Sequence, residues 1–427
     1  MSRRRLTLAT YVRRRWRYVG AIVVLLLGAL LVLVVTDRGH DPVWEVTAAE
    51  LDRAAIAPSG SATYALLKED GLVTRIAAYR GADGALLWEG RLNATRALLA
   101  AGPSGAVVAT DFPGAFLTVY GDDGSLRWQH PLEGNPVAVA FGDDDVVALA
   151  LQAPRNPVLV FQGEHLIRTF HHGARVNALS MSQGLVAVAA DNGDIVVRAL
   201  DGREVTNVSL AFSPSSLRLA DDGTAAIVGG TGTLRGDRGG HVAFLDVGQD
   251  GGVRWTQETP VRVGIVDLDA AGLRVVAVEE SPPSATLHVY DGATGATLWT
   301  RLLAGSVPRD DAGEQGAVAM SPDARHVAVG TVRGDVRVYD AATGEEVWRF
   351  RAAGANVLSY ARDDPDRLLV GGRLLASRPF DSLMLFQAAE EPIAQRAGIL
   401  GIAITGLGAL SLVVIIGVGY LRARGTY

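Results

Sequence analysis

The dominant pattern along the chain is a recurring set of short apolar runs separated by turn residues. The cleanest copy has runs at 316–320, 326–330, 335–340 and 345–350, broken by Ser321-Pro322-Asp323, Arg333-Gly334 and the segment 341–344. Such runs, rich in Val, Ala and aromatics and bounded by Gly, Pro, Asp and Ser, predict four short β-strands, here A to D. The last two strands recur at 79–88, 120–128, 161–170, 198–208, 245–255, 290–299 and 339–348. Their turns contain Asp83-Gly84, Asp123-Gly124, Asp201-Gly202 and Thr294-Gly295, which suit tight hairpins that need positive φ.

Strand D carries an aromatic at 88, 128, 170, 255, 299 and 348, and Val208 stands in its place in the remaining copy. An eighth unit follows, with runs at 356–360, 367–371 and 382–386 for strands A, B and C. Its strand D is expected at the other end of the chain, at 42–46, where Trp44 precedes Trp88 by the length of one unit. The expectation is an all-β, eight-bladed β-propeller closed by an N-terminal strand, which would remove exposed sheet edges.

Two further apolar segments break this periodicity. Residues 18–36 and 397–421 carry no charged side chain, and each is long enough to cross a hydrocarbon core of about 30 Å as an α-helix. No small-x-small cleavage site follows the first, so it is expected to be a retained anchor rather than a signal peptide. Gly401, Thr405 and Ala409 put small residues on one face of the second, where another helix could approach closely. Seven arginines lie before the first segment, and Arg422 and Arg424 follow the second, which places both ends in the cytoplasm. The domain plan is then a basic tail 1–17, a span 18–36, an extracytoplasmic propeller 37–396, a second span 397–421 and a tail 422–427.

Charge narrows the function classes. With those nine arginines set aside, 31 basic residues face 46 acids, so residues 37–396 carry a formal −15. Nucleic acid is therefore not an expected partner. The chain has no Cys, which removes disulfides, thiolate metal sites, cysteine nucleophiles and a lipidated-Cys anchor.

The segments 290–299 and 339–348, with their Tyr-Asp, Thr-Gly and terminal Trp, resemble the repeat of quinoprotein-like (PQQ-like) β-propellers. Ser321-Pro322-Asp323 and Phe212-Ser213-Pro214 are also similar to WD40 units. The resemblance covers about 42–387. It implies eight four-stranded blades locked by Trp on the outer strands: Trp44, Trp88, Trp128, Trp255, Trp299 and Trp348. Enzymes of that family stack a quinone on a central Trp, with Ca²⁺ nearby and often paired cysteines. A lipoprotein of the family helps assemble outer-membrane barrels. Here every external Trp falls on a strand D and none is left for a central platform, so neither a quinone cofactor nor a catalytic residue is expected.

Other chemistry is thin. His171-His172 would place its rings on opposite faces of a strand, poor geometry for one metal. The acidic groups at 143–145, 221–222, 310–311 and 363–364 fall in predicted turns without a calcium-loop spacing. The glycine-rich stretch 231–240 sits between strands and lacks the strand-to-helix context of a phosphate loop. Asn93 and Asn207 begin glycosylation sequons.

The longer loops at 230–240, 281–285, 302–315 and 372–381 all map to the face opposite the C-to-D hairpins. Arg301, Arg309, Asp310 and Arg378 there form the expected partner-binding rim. The expected function is a membrane-anchored, extracytoplasmic protein-binding or assembly scaffold, a subunit or accessory of a membrane complex. It meets the lipid bilayer through two helices and a membrane or extracytoplasmic protein through the rim. The alternative is a small-ligand sensor or quinone-dependent oxidoreductase using the central channel.

Overall fold

Burial along the strands explains why the repeats fold as they do. Strands A to C are runs of small and β-branched residues buried on both faces, as in Val146–Gln152 and Arg274–Ser281. Strand D alternates instead between exposed and half-buried positions, as in Leu86–Ala94 and Val253–Thr259, because it forms the outer edge of each sheet. In the computed structural model these runs form eight four-stranded antiparallel sheets. The structure describes residues 42–387 except 49, 112–114, 234–238, 249, 309–315, 333–335, 351–354 and 373–380.

Strands A, one per blade, are Leu51–Ile56, Ala97–Gly102, Asn135–Phe141, Val176–Ser182, Phe212–Leu219, Val263–Leu268, Val318–Met320 and Val357–Tyr360. They define blades 1 to 8 and line the axis. The eighth sheet pairs Val357–Tyr360 with Arg367–Gly372, that strand with Asp381–Gln387, and the last with Trp44–Ala48. Trp44 opposes Leu385 and Ala48 opposes Asp381, and the Val43 amide adds a bond to the Leu385 carbonyl at 2.7 Å. The expected closure by the N-terminal strand is thus present, with strand D at 44–48 rather than 42–46.

The expected hairpin glycines take positive φ: +69° at Gly84, +80° at Gly124, +93° at Gly202 and +71° at Gly295. Among the described residues no helix is long and apolar enough to cross a membrane. The apolar segments 18–36 and 397–421, with both tails, lie outside the described residues.

Candidate functional site

Three parts of the ring carry chemistry: the junctions between blades, the axial channel and the loop faces. At a junction, the indole on strand D of one blade reaches the C-to-D turn of the next. Trp44 Nε1 donates to the Gly81 carbonyl at 3.0 Å, Trp88 to Asp122 at 2.9 Å, Trp255 to Gly292 at 2.8 Å and Trp299 to Ala341 at 3.0 Å. The indole also lies flat on the turn glycine. A Cβ added to Gly84, Gly124, Gly295 or Gly344 would come within 2.9 Å of the preceding blade's indole. Glycine is therefore required there twice, for its positive φ and for the close approach of the ring.

An aromatic at the end of the next strand C completes each lock. Trp88 lies 5.5 Å from Tyr120, Trp128 5.5 Å from Phe161, Trp255 5.9 Å from Tyr290, Trp299 5.8 Å from Tyr339 and Trp348 5.3 Å from Phe386. Burial pushes the tyrosines up, Tyr290 to about 12, so they remain neutral partners at physiological pH. Tyr64 is raised further by burial and by Asp122, whose carboxylate accepts its hydroxyl at 2.9 Å.

The register corrects two of the sequence assignments. In blade 1, Leu86 opposes Tyr79 and Trp88 opposes Ala78, across a bulge. The equivalent pairs are Leu166 with Phe161 and Arg168 with Val160 in blade 3, and Glu204 with Arg198 and Thr206 with Val197 in blade 4. Arg168 and Thr206 therefore hold the Trp position, while Phe170 and Val208 lie two residues beyond it. Both substitutes still engage the next turn. Thr206 Oγ1 donates to the Gly248 carbonyl at 3.1 Å and accepts from the Gly248 amide at 3.0 Å. Arg168 lies against Gly202, and Phe170 stacks under the Arg198 guanidinium at 5.1 Å.

The position two beyond the Trp adds a second stitch. Gln257 donates to the Gly295 carbonyl at 2.8 Å, and Arg301 donates to Gly344 through Nη2 at 2.9 Å and Nε at 3.2 Å. Arg301 thus sits within strand D, Thr297–Leu303, where it ties blade 6 to blade 7. Its companions in the expected rim, Arg309, Asp310 and Arg378, lie outside the described residues.

The strands A enclose a channel of about 290 Å³. Its wall is chiefly Ala, Val, Leu and Ser; Phe141 and Tyr360 are its aromatic members. Polar bonds tie neighbouring strands around it. The Leu219 amide donates to Ser180 Oγ at 3.0 Å, Val266 to Ser216 Oγ at 3.3 Å and Met320 to Asp267 at 2.9 Å.

Charge gathers where the A-to-B turns surround one mouth. Arg218 pairs with Asp267 at 3.2 Å, and Arg362 Nη2 meets Asp143 at 2.6 Å. Arg362 belongs to blade 8 and Asp143 to blade 3, two blades that are not neighbours, so this pair reaches over the opening. Burial pushes the nearby Asp221 carboxyl up, and Arg362 and Arg218 oppose that rise. Sequence alone places the two acidic clusters in turns but gives no signal that a residue 219 positions away would answer one of them. Among the described residues no group of three or more His, Asp or Glu is placed to hold a metal ion.

The fold is shared with solved structures of low sequence identity. A computationally designed protein, Ika8, superposes with a TM-score of 0.61 at 17% identity, over 81% of this chain and 99% of that one. The Dos1 propeller gives 0.60 at 13% identity, over 81% and 94%. The C-terminal WD40 domain of Sif2 gives 0.60 at 12% identity, over 81% and 97%. No curated protein matches the sequence significantly. A family model does match, at residues 22–202, 69–282 and 283–382, which together span most of the chain. With its PQQ-like repeats and its ring of eight blades, the chain belongs to the family described as outer membrane protein assembly factor BamB.

Proposed function

We propose that this protein is a membrane-anchored, extracytoplasmic propeller that binds other proteins as an assembly scaffold, with both termini in the cytoplasm. One observation carries the reading: the chain enters and leaves the ring in a single blade, through the neighbouring strands Trp44–Ala48 and Asp381–Gln387. In seven blades a hairpin joins strands C and D. In the eighth that connection is replaced by the two routes to the apolar segments 18–36 and 397–421. Two spans on one face of a rigid ring would hold the opposite face away from the bilayer, free for a partner.

Family membership supports a protein partner, since the family is described as an assembly factor for outer membrane proteins. The channel supports the same reading: about 290 Å³ is at the small end of ligand sites, and its mouth is crossed by the Arg362–Asp143 pair. The partner rim would include the loop 302–315 with Arg309 and Asp310, and the loop 372–381 with Arg378.

Mild-detergent purification of the full chain, followed by mass spectrometry of associated chains, tests the proposal. The expected result is a membrane or extracytoplasmic protein retained in fixed ratio and lost when 302–315 is shortened. Purification of the chain alone, with cofactor absorbance or a stoichiometric metal, would favour a ligand sensor or an oxidoreductase instead.

A further inference from the structure

The exposed apolar side chains of the ring are not evenly distributed between its faces. Single exposed leucines are ordinary on a protein surface, so position and repetition decide whether they mean anything. Val43, Leu86, Leu126, Leu166, Val253 and Leu298 are exposed, and each stands just before or within the first two residues of a strand D. Strand D starts on the face of the C-to-D and A-to-B turns. Leu87 and Leu273, the latter in an A-to-B turn, are exposed on that face too. The opposite face shows Leu72, Phe116, Leu302 and Val332. Eight of the twelve large exposed apolar residues among those described therefore belong to one face, seven of them at the start of a strand D: Leu86, Leu126, Leu166 and Val253 two residues before the Trp position, and Val43, Leu87 and Leu298 one before it.

That is also the face on which the chain passes out of the ring. Val43 is both a member of the set and the residue preceding Trp44. Only five residues, 37–41, separate Pro42 from the apolar segment 18–36, and nine, 388–396, separate Gln387 from the segment 397–421. Extended chain covers at most about 3.6 Å per residue, so the shorter linker reaches no more than ~20 Å. If the apolar segments span a bilayer, this face is tethered within reach of its surface.

We propose that the recurring leucine rim is a lipid-contacting girdle, which seats this face in the headgroup region of the bilayer. The inference rests on the membrane-anchored reading above and adds the depth and orientation of the ring. Apolar side chains gain by entering the boundary between headgroups and acyl chains, whereas charged turns stay in the headgroup layer. The same face carries turn aspartates that remain anionic. Thr294 and Ser125 donate to Asp291 and Asp123 and hold both carboxyls below the usual range. Arginines on the same face pair with acids, Arg80 with Asp83 at 3.2 Å and Arg127 with Asp145 at 3.0 Å, so neither sign dominates and the lipid surface that fits is a neutral, zwitterionic one.

The absence of native cysteine makes the test direct. Full-length variants Leu86→Cys, Leu126→Cys, Leu298→Cys and, from the opposite face, Leu302→Cys are labelled with an environment-sensitive fluorophore. They are reconstituted in phosphatidylcholine vesicles containing nitroxide lipids. Severalfold stronger quenching at 86, 126 and 298 than at 302 is the expected result. Equal quenching in protein that floats with the vesicles overturns the girdle and leaves the anchor standing. Failure to float overturns both. Shielding of 86 and 126 in native membranes but not in pure lipid also overturns the girdle, because a protein would then cover the rim.

Discussion

The junctions of the ring solve one problem with two chemistries. From blade 5 through blade 8 to blade 3, indoles close the joints: Trp255, Trp299, Trp44 and Trp88 fill the space over the next C-to-D turn, and Trp348 and Trp128 pack on Phe386 and Phe161 at the end of the next strand C. Between blades 3 and 4 and between 4 and 5, Arg168 and Thr206 occupy the same register position. The indole contributes buried apolar area and one hydrogen bond. Thr206 offers only paired hydrogen bonds to Gly248, and Arg168 offers aliphatic packing on Gly202. Packing of a large ring is worth several times a net hydrogen bond, so the Arg/Thr arc is the weaker part of the circle. What the two arcs share is the register position on strand D, so blade geometry, rather than tryptophan as such, defines the joint.

Four measurements break or sharpen this contrast, each read from unfolding of the solubilised full chain. Trp44→Ala should cost about 3–5 kcal/mol, because it empties a buried ring site at the seam where Trp44–Ala48 pairs with Asp381–Gln387. Gly295→Ala should cost about 3 kcal/mol, from positive φ and from a Cβ placed 2.8 Å from Trp255. Gly163→Ala is its control: φ is +55°, yet nothing lies within 4 Å of the added carbon, and only the backbone cost of about 1 kcal/mol remains. In the weaker arc, Thr206→Val should cost about 1–2 kcal/mol, by leaving the Gly248 amide and carbonyl without their partner. Should Thr206→Val prove as damaging as Trp44→Ala, the contrast between arcs fails.

The smallest effect is one of pH. The Thr294 hydroxyl and amide donate to Asp291 and hold its carboxyl below its ordinary value. The folded state thus binds that proton less tightly than the unfolded state. The resulting stability is present above the unfolded pKa near 4 and is lost as pH falls through the depressed folded value. Asp291→Ala should lower the melting temperature slightly at pH 7, and the difference from the parent should shrink as the pH is taken well below 4.

The number of blades and the closing strand were legible because most strand C to D units carry their own turn glycine and terminal aromatic, and Trp44 precedes Trp88 by the length of one unit. Boundaries slipped by about two residues where apolar and turn residues grade into one another, as at 316–317, which precede strand A of blade 7. The substituted joints were misread for a definite physical reason. Seeking an aromatic or aliphatic residue led to Phe170 and Val208, but the bulge in each C-to-D hairpin fixes position by count from the turn. Trp88, Trp128, Trp299 and Trp348 each stand four residues after the hairpin glycine, and so does Thr206 after Gly202; that count would have found it. Blade 3 has a shorter hairpin, with Gln162 opposite His165, so no such count locates Arg168. The Arg362–Asp143 pair depends on the width of the channel mouth, which no local pattern encodes.

The central claim, a propeller held outside the cytoplasm by two spans, is tested most directly by thiol accessibility in intact cells. Single variants Thr7→Cys, Leu302→Cys and Thr426→Cys are exposed to a membrane-impermeant maleimide before and after permeabilisation. The account predicts that position 302 reacts at once and that positions 7 and 426 react only after permeabilisation. Reaction of either tail in intact cells, or protection of position 302 until the membrane is opened, would contradict it.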